Sequence, residues 1–189
     1  MILDLSEDGK LVFVSAFKAP PRMDPSAILK ELRIATPSIE IQFFDGMHIA
    51  GKEHLEIAAV NAVHAFKTGT NISRNVAMET LLYASAQRQI DVAIVRVGVT
   101  PNSQTVGLVA FCDTKDDAEK LNNRIIQFLR IEMNESLLDD WSEEKASAIM
   151  KLYAIEATEL EAIRMPGQQT WEAIRKAVIE RVALLSTRT

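Results

Sequence analysis

Cysteine occurs once in this 189-residue chain, as Cys112, so no intramolecular disulfide can form and a reducing compartment is the natural setting. Histidine occurs three times, as His48, His54 and His64. The last two stand ten residues apart on one expected helix, not at the i, i+4 spacing that turns two imidazoles onto one metal. No metal site and no cofactor is expected. No serine lies in a GxSxG elbow, and Cys112 sits in an apolar run with nothing beside it to lower its pKa. Catalysis by side chains of this chain alone therefore finds no support. Nor does any run reach the roughly 18 uncharged apolar residues of a spanning helix, the best candidates being cut by Asn61, Asp113 or Glu180. The opening Met1-Ile-Leu-Asp-Leu-Ser-Glu-Asp8 lacks the positive region and apolar core of a signal peptide, so the expectation is a cytoplasmic chain that starts as the mature protein.

What is present fits one globular unit over residues 1–189. At a prior of about 150 residues per domain a second domain is not expected. Hydrophobic residues make up 48% and charged residues 25%, enough for a core without disulfide or metal. The net charge of -5 speaks against a generally basic nucleic-acid coat, but it is unevenly spread. Between Asp113 and Glu144 ten acidic residues face four basic ones, so that segment alone is more negative than the whole chain. A small local basic site remains open.

Three runs read as strands. Lys10-Leu-Val-Phe-Val-Ser-Ala-Phe17 is β-branched and aromatic, Ile39-Glu-Ile-Gln-Phe-Phe44 alternates with period two, and Thr105-Val-Gly-Leu-Val-Ala-Phe-Cys112 is apolar throughout, as for a strand buried on both faces. Asp24-Pro25 opens a helix to about Ile34. The clearest helix spans residues 50–67, with Leu55, Ala58, Ala62 and Phe66 inward. Ser73 is the expected cap of a helix over 74–85, and Gly98 the expected left-handed end of a short helix over 88–97. Thr114 and Asp117 form a capping-box pattern, residues 132–144 read as a solvated acidic connection, and Ser142 caps a helix with Ile149 and Tyr153 inward. Met165-Pro-Gly167 breaks the chain before a last helix over about 169–186. The sum is an α+β domain, a small mostly antiparallel or mixed sheet surrounded by about seven helices.

Four constellations bear on function. Gly46-Met-His-Ile-Ala-Gly51-Lys52 matches the GxxxxGK core of a phosphate-binding loop, with a Walker-B-like run at Val106 to Asp113, so a P-loop-like NTPase is one reading. The match fails where magnesium needs Ser or Thr, because Glu53 stands there. Ser85-Ala-Gln-Arg-Gln-Ile90 sets Arg88 between two glutamines at a junction of apolar helices, suited either to bracing helix ends or to holding a phosphate or base edge. Lys52, Lys67, Arg74 and Arg88 gather positive charge mid-sequence. In the last helix Trp171, Ile174, Val178, Val182 and Leu185 form the core stripe, and Ile179 with Ala183 forms a second apolar stripe that a one-sided surface helix does not need.

The runs Ile41-Gln-Phe-Phe-Asp, Gly51-Lys-Glu-His-Leu, Asn61-Ala-Val-His-Ala-Phe-Lys, Asn71-Ile-Ser-Arg, Met78-Glu-Thr-Leu-Leu-Tyr-Ala-Ser-Ala-Gln-Arg-Gln-Ile90 and Val97-Gly98 resemble the small regulatory subunit of the KEOPS complex in its archaeal form. The resemblance is close over residues 38–112 and looser in the last helix. Ala86 departs from it, standing where archaeal relatives usually place glycine, and implies a stiffer turn. It implies a non-catalytic subunit that binds and regulates the complex's atypical kinase/ATPase. Such a subunit also captures the 3′ CCA end of tRNA, for N6-threonylcarbamoyladenosine formation by a separate transferase subunit. By position, the resemblance implies kinase contact through Ile179, Val182 and Ala183, and tRNA contact through Lys52, Arg74, Arg88 and Gln89.

Overall fold

The computed structural model describes residues 2–5 and 10–187, so the signal-peptide reading of residues 1–8 falls partly outside it. Four strands, β1 (Ile2–Leu5), β2 (Lys10–Lys18), β3 (Glu40–Asp45) and β4 (Thr105–Cys112), pair in the order β1-β2-β4-β3, and every pairing is antiparallel. The sequence reading anticipated the last three and not β1. Around them run α1 (Pro25–Ala35), α2 (Lys52–Thr68), α3 (Val76–Ser85), α4 (Ile90–Val97), α5 (Lys115–Leu129), α6 (Glu143–Tyr153), α7 (Ala157–Ile163) and α8 (Thr170–Ala183). The α+β class stands, with eight helices among the described residues.

The sheet is buried on both faces because successive strand residues point to opposite sides. Val12, Val14, Ala16, Phe44, Val109 and Phe111 pack toward α2, α3, α6 and α8. Phe13, Phe17, Ile41, Phe43, Leu108 and Ala110 pack toward α1 and α5. The register agrees, opposing Val14 to Val109 and Ile41 to Ala110 on alternate faces. Gly107, opposite Phe44, lets α2 come close. A Cβ there would lie 3.2 Å from both Leu55 and Leu138 side chains.

Several helix ends follow the sequence signals. Asp24 caps α1 through the amides of Ser26 and Ala27, Thr114 and Asp117 close a reciprocal box on α5, and Ser142 caps α6. Two expectations are corrected. Asn75, not Ser73, caps α3, because the Ser73 hydroxyl is spent on the Asn75 carbonyl while the Asn75 side chain accepts from Met78 N–H. Gly98 is extended, at φ -70 and ψ 151; its missing Cβ matters because the Ile94 carbonyl occupies that space. The left-handed helix ends lie instead at Gly69, Ala86, Arg130 and Ala154. Ala154 also separates α6 from α7, a helix the sequence reading did not name. The acidic stretch is not merely a solvated connection either: it forms a 3-10 turn at Glu135–Leu138, whose Leu138 is fully buried.

Candidate functional site

α2 and α3 form a hairpin, and that geometry decides which expected site residues meet. His54 near the start of α2 hydrogen-bonds the carbonyl of Ala84 near the end of α3 at 2.9 Å, so the two helices run antiparallel. Lys52 at the α2 start and the Arg88-Gln89 turn after α3 therefore share one end of the hairpin. Arg74, before the α3 start, lies at the other. At 1.5 Å rise per residue, the ten residues of α3 set the two ends about 15 Å apart. Lys52, Arg88 and Gln89 are thus one group and Arg74 a second.

Arg74, Arg88 and Gln89 are exposed and Lys52 is half-buried. Gln89 occupies the N-cap position of α4 and makes no side-chain capping bond. Ala86 precedes that turn in the left-handed region at φ 51, the backbone conformation for which glycine is the usual residue. Burial and the Glu79 carboxylate raise the Tyr83 phenol pKa, and the nearby Arg88 guanidinium opposes them.

The segment from Gly46 to Lys52 does not build a phosphate cradle. Its first part is a 3-10 turn, Gly46–His48, capped by Asp45, and Ile49 and Ala50 are fully buried. Gly51 adopts φ 97 and ψ 173 beneath an ion pair from elsewhere in the chain: Arg175 Nη2 meets Asp139 Oδ1 at 2.6 Å, and Arg175 Nε donates to the Ala50 carbonyl at 3.0 Å. A Cβ on Gly51 would stand 2.5 Å from Asp139 Oδ1, so the chain's own carboxylate covers the start of α2. The NTPase reading is left unsupported. Among the described residues no group of three or more His, Cys, Asp or Glu gathers in a metal-binding cluster.

Three buried polar groups went unread in the sequence. His54 is fully buried, its Nδ1 accepting from Ala50 N–H at 3.1 Å, and burial brings its pKa down to about 4. Lys145 is 5% exposed, donates to the Leu138 carbonyl at 2.6 Å beside the Trp141 ring, and is pushed down to about 8 by desolvation. Glu79 is 1% exposed, and its carboxylate accepts from the backbone of the α2–α3 loop. The first two face the core. Glu79 serves the loop that carries Arg74.

On α8 the core stripe is realised, with Ile174, Val178 and Val182 fully buried. Ile179 is half-buried and Ala183 exposed, with Leu184 just beyond at 42% exposure. Val182, grouped with them for partner contact, is corrected: it is packed into this chain's own core and offers no surface. Arg181 does not face outward freely. It pairs with Glu159 at 2.8 Å and donates to the Tyr153 and Ala154 carbonyls, closing the end of α6.

Residues 23–186 match a protein family described as "Kinase binding protein CGI-121". Among curated proteins none matches the chain. No helix among the described residues is long and apolar enough to cross a membrane.

Proposed function

The chain belongs to the kinase binding protein CGI-121 family, the KEOPS small-subunit family its residues resemble, and from that premise we propose that it is a non-catalytic KEOPS subunit. It docks on and regulates the complex's atypical kinase/ATPase, and through it serves the transferase subunit in the cytoplasm. It also brings in the 3′ CCA end of tRNA for threonylcarbamoyladenosine formation.

The observation that carries the kinase half is α8. Its inner side is saturated by this chain's own core, yet Ile179 and Ala183 continue an apolar stripe outside it, with Leu184 beyond. α8 packs directly on α2, so the stripe is presented by the body of the fold and not by a loose tail. Docking that stripe removes apolar surface from water at no cost in helix formation. For the tRNA half, Lys52 and the Arg88-Gln89 turn lie at one end of the α2–α3 hairpin and offer an ammonium, forked donors and an amide for unpaired nucleotides, and Arg74 supplies a second contact about 15 Å away along α3.

The test of the kinase half is co-purification of the full chain with its kinase. Ile179→Glu places a charge in the stripe and abolishes association while the free subunit's melting temperature stays within about 2 °C of wild type. Unchanged association sinks the docking face.

A further inference from the structure

We infer that Glu79 is a positioning residue for Arg74: its buried carboxylate holds the α2–α3 loop in the shape that presents the Arg74 guanidinium to an RNA phosphate or base edge. The inference rests on the tRNA-end reading above.

A carboxylate buried to 1% exposure must be matched by a cation or by hydrogen-bond donors. Here the donors are two successive backbone amides. Ile72 N–H reaches Oε2 at 3.0 Å and Oε1 at 3.2 Å, and Ser73 N–H reaches Oε2 at 2.7 Å. Charge-assisted bonds of this length fix the backbone of residues 72 and 73, and the next residue is Arg74. The rest of the loop closes on the same point. Asn71 Nδ2 donates to the Ser73 carbonyl at 2.9 Å, Ser73 Oγ donates to the Asn75 carbonyl at 2.7 Å, and Asn75 Oδ1 caps α3 through Met78.

A seven-residue connection between two packed helices does not need an ion to close it, since loop closure depends only weakly on length. Burying a charge for that purpose alone is a poor bargain when an apolar side chain would fill the site. What the carboxylate adds is one fixed backbone path, and the residue that path sets on the surface is Arg74. Arg74 is exposed and has no hydrogen bond or ion pair among the described residues. A guanidinium delivered from a rigid loop loses less freedom on meeting its ligand than one from a mobile loop.

A double-mutant cycle on the full chain tests this, with intact tRNA as the probe and affinity as the readout. Glu79→Gln keeps the shape and one acceptor oxygen but removes the charge, and it sets an amide NH2 against the Ile72 N–H that Oε1 now accepts from. Arg74→Ala should weaken binding about tenfold, the size of one charge-assisted contact. Glu79→Gln should weaken it about fivefold in the wild-type background and not at all beside Arg74→Ala. Equal losses in both backgrounds overturn the positioning role while the RNA reading stands. No loss on Arg74→Ala overturns the RNA reading at this residue and the inference with it. Asn71→Ala loosens the same loop by removing the bond to the Ser73 carbonyl, without touching the buried carboxylate, and should repeat the Arg74-dependent loss. A loss indifferent to Arg74 in that variant also overturns the inference.

Discussion

The Tyr153 hydroxyl donates to the Ala84 carbonyl at 2.7 Å, joining the end of α6 to the end of α3. His54 Nε2 meets the same oxygen at 2.9 Å, so α2, α3 and α6 are pinned at one carbonyl two residues before the left-handed Ala86. Burial raises the Tyr153 pKa, which keeps the hydroxyl a donor wherever the protein is folded. Tyr153→Phe removes one of the two donors and leaves Ala84 satisfied by the other. The expected loss is about 1 kcal/mol, a fall of about 3 °C in melting temperature for a chain of this size. Urea unfolding of the variant checks it. A loss above about 3 kcal/mol would mean that His54 does not satisfy the carbonyl alone.

His54 makes stability depend on pH with a definite sign. Folded, it titrates near 4; unfolded, near 6.5. As pH falls the unfolded chain takes the proton first, so this contribution is intact above about 6.5 and is lost as pH falls toward 4. The reason is geometric as well as dielectric, because a proton on Nδ1 would confront the Ala50 N–H that now donates to it. The expected loss is about 2 kcal/mol by pH 5, before most carboxylates titrate. Denaturation midpoints at pH 7, 6 and 5 measure it, and His54→Gln should flatten the trend. A wild-type slope that survives in that variant places the titrating group elsewhere.

How much of this was legible in the sequence depended on whether the governing force is local. β4 and the Asp24, Thr114 and Ser142 caps were read correctly because each needs only the residues within a turn or a strand period. Ser73 was misread because its hydroxyl is recruited by Asn75 and its amide by Glu79, six residues away. The Asp139–Arg175 pair over Gly51 joins residues 36 apart and leaves no local mark, so the GxxxxGK pattern looked open when it is covered. The sequence reading named Lys52, Arg74, Arg88 and Gln89 together, and their division into two ends of the hairpin follows only from the antiparallel α2–α3 packing. The periodicity of α8 placed Val182 on the inner stripe, where it lies; its assignment to kinase contact came from the resemblance by position and not from the stripe.

Gly51 offers a direct test of that cover. Its φ of 97 and ψ of 173 belong to glycine, and an added Cβ meets both Asp139 and Arg175 within 2.7 Å. Gly69, also at positive φ, has nothing within 4 Å of the same atom. Gly69→Ala should therefore cost about 1 kcal/mol from backbone conformation alone. Gly51→Ala should cost about 3 kcal/mol, adding the displaced ion pair to the strain. Thermal unfolding of the two single variants compares them. Equal costs would show that Asp139 and Arg175 are not seated over the start of α2.

The separation of Arg74 from Arg88 by the length of α3 predicts how their contributions to RNA binding combine. Contacts about 15 Å apart with no shared partner act independently, so the free-energy losses of Arg74→Ala and Arg88→Ala should add within about 0.5 kcal/mol. Each cation on a single-stranded 3′ end releases counterions, contributing about 0.7 to the slope of log affinity against log salt. If the proposed tRNA contact is made by Lys52, Arg74 and Arg88, the slope should be about -2, shallow as suits a chain of net charge -5. Each arginine variant should lower that slope by about 0.7, whereas loss of Gln89, an uncharged amide, should weaken binding without changing it. Titrations of intact tRNA between 50 and 200 mM salt, repeated with tRNA trimmed of its CCA end, resolve these terms. A slope that stays the same when Arg88 is removed would show that this guanidinium does not meet the RNA backbone.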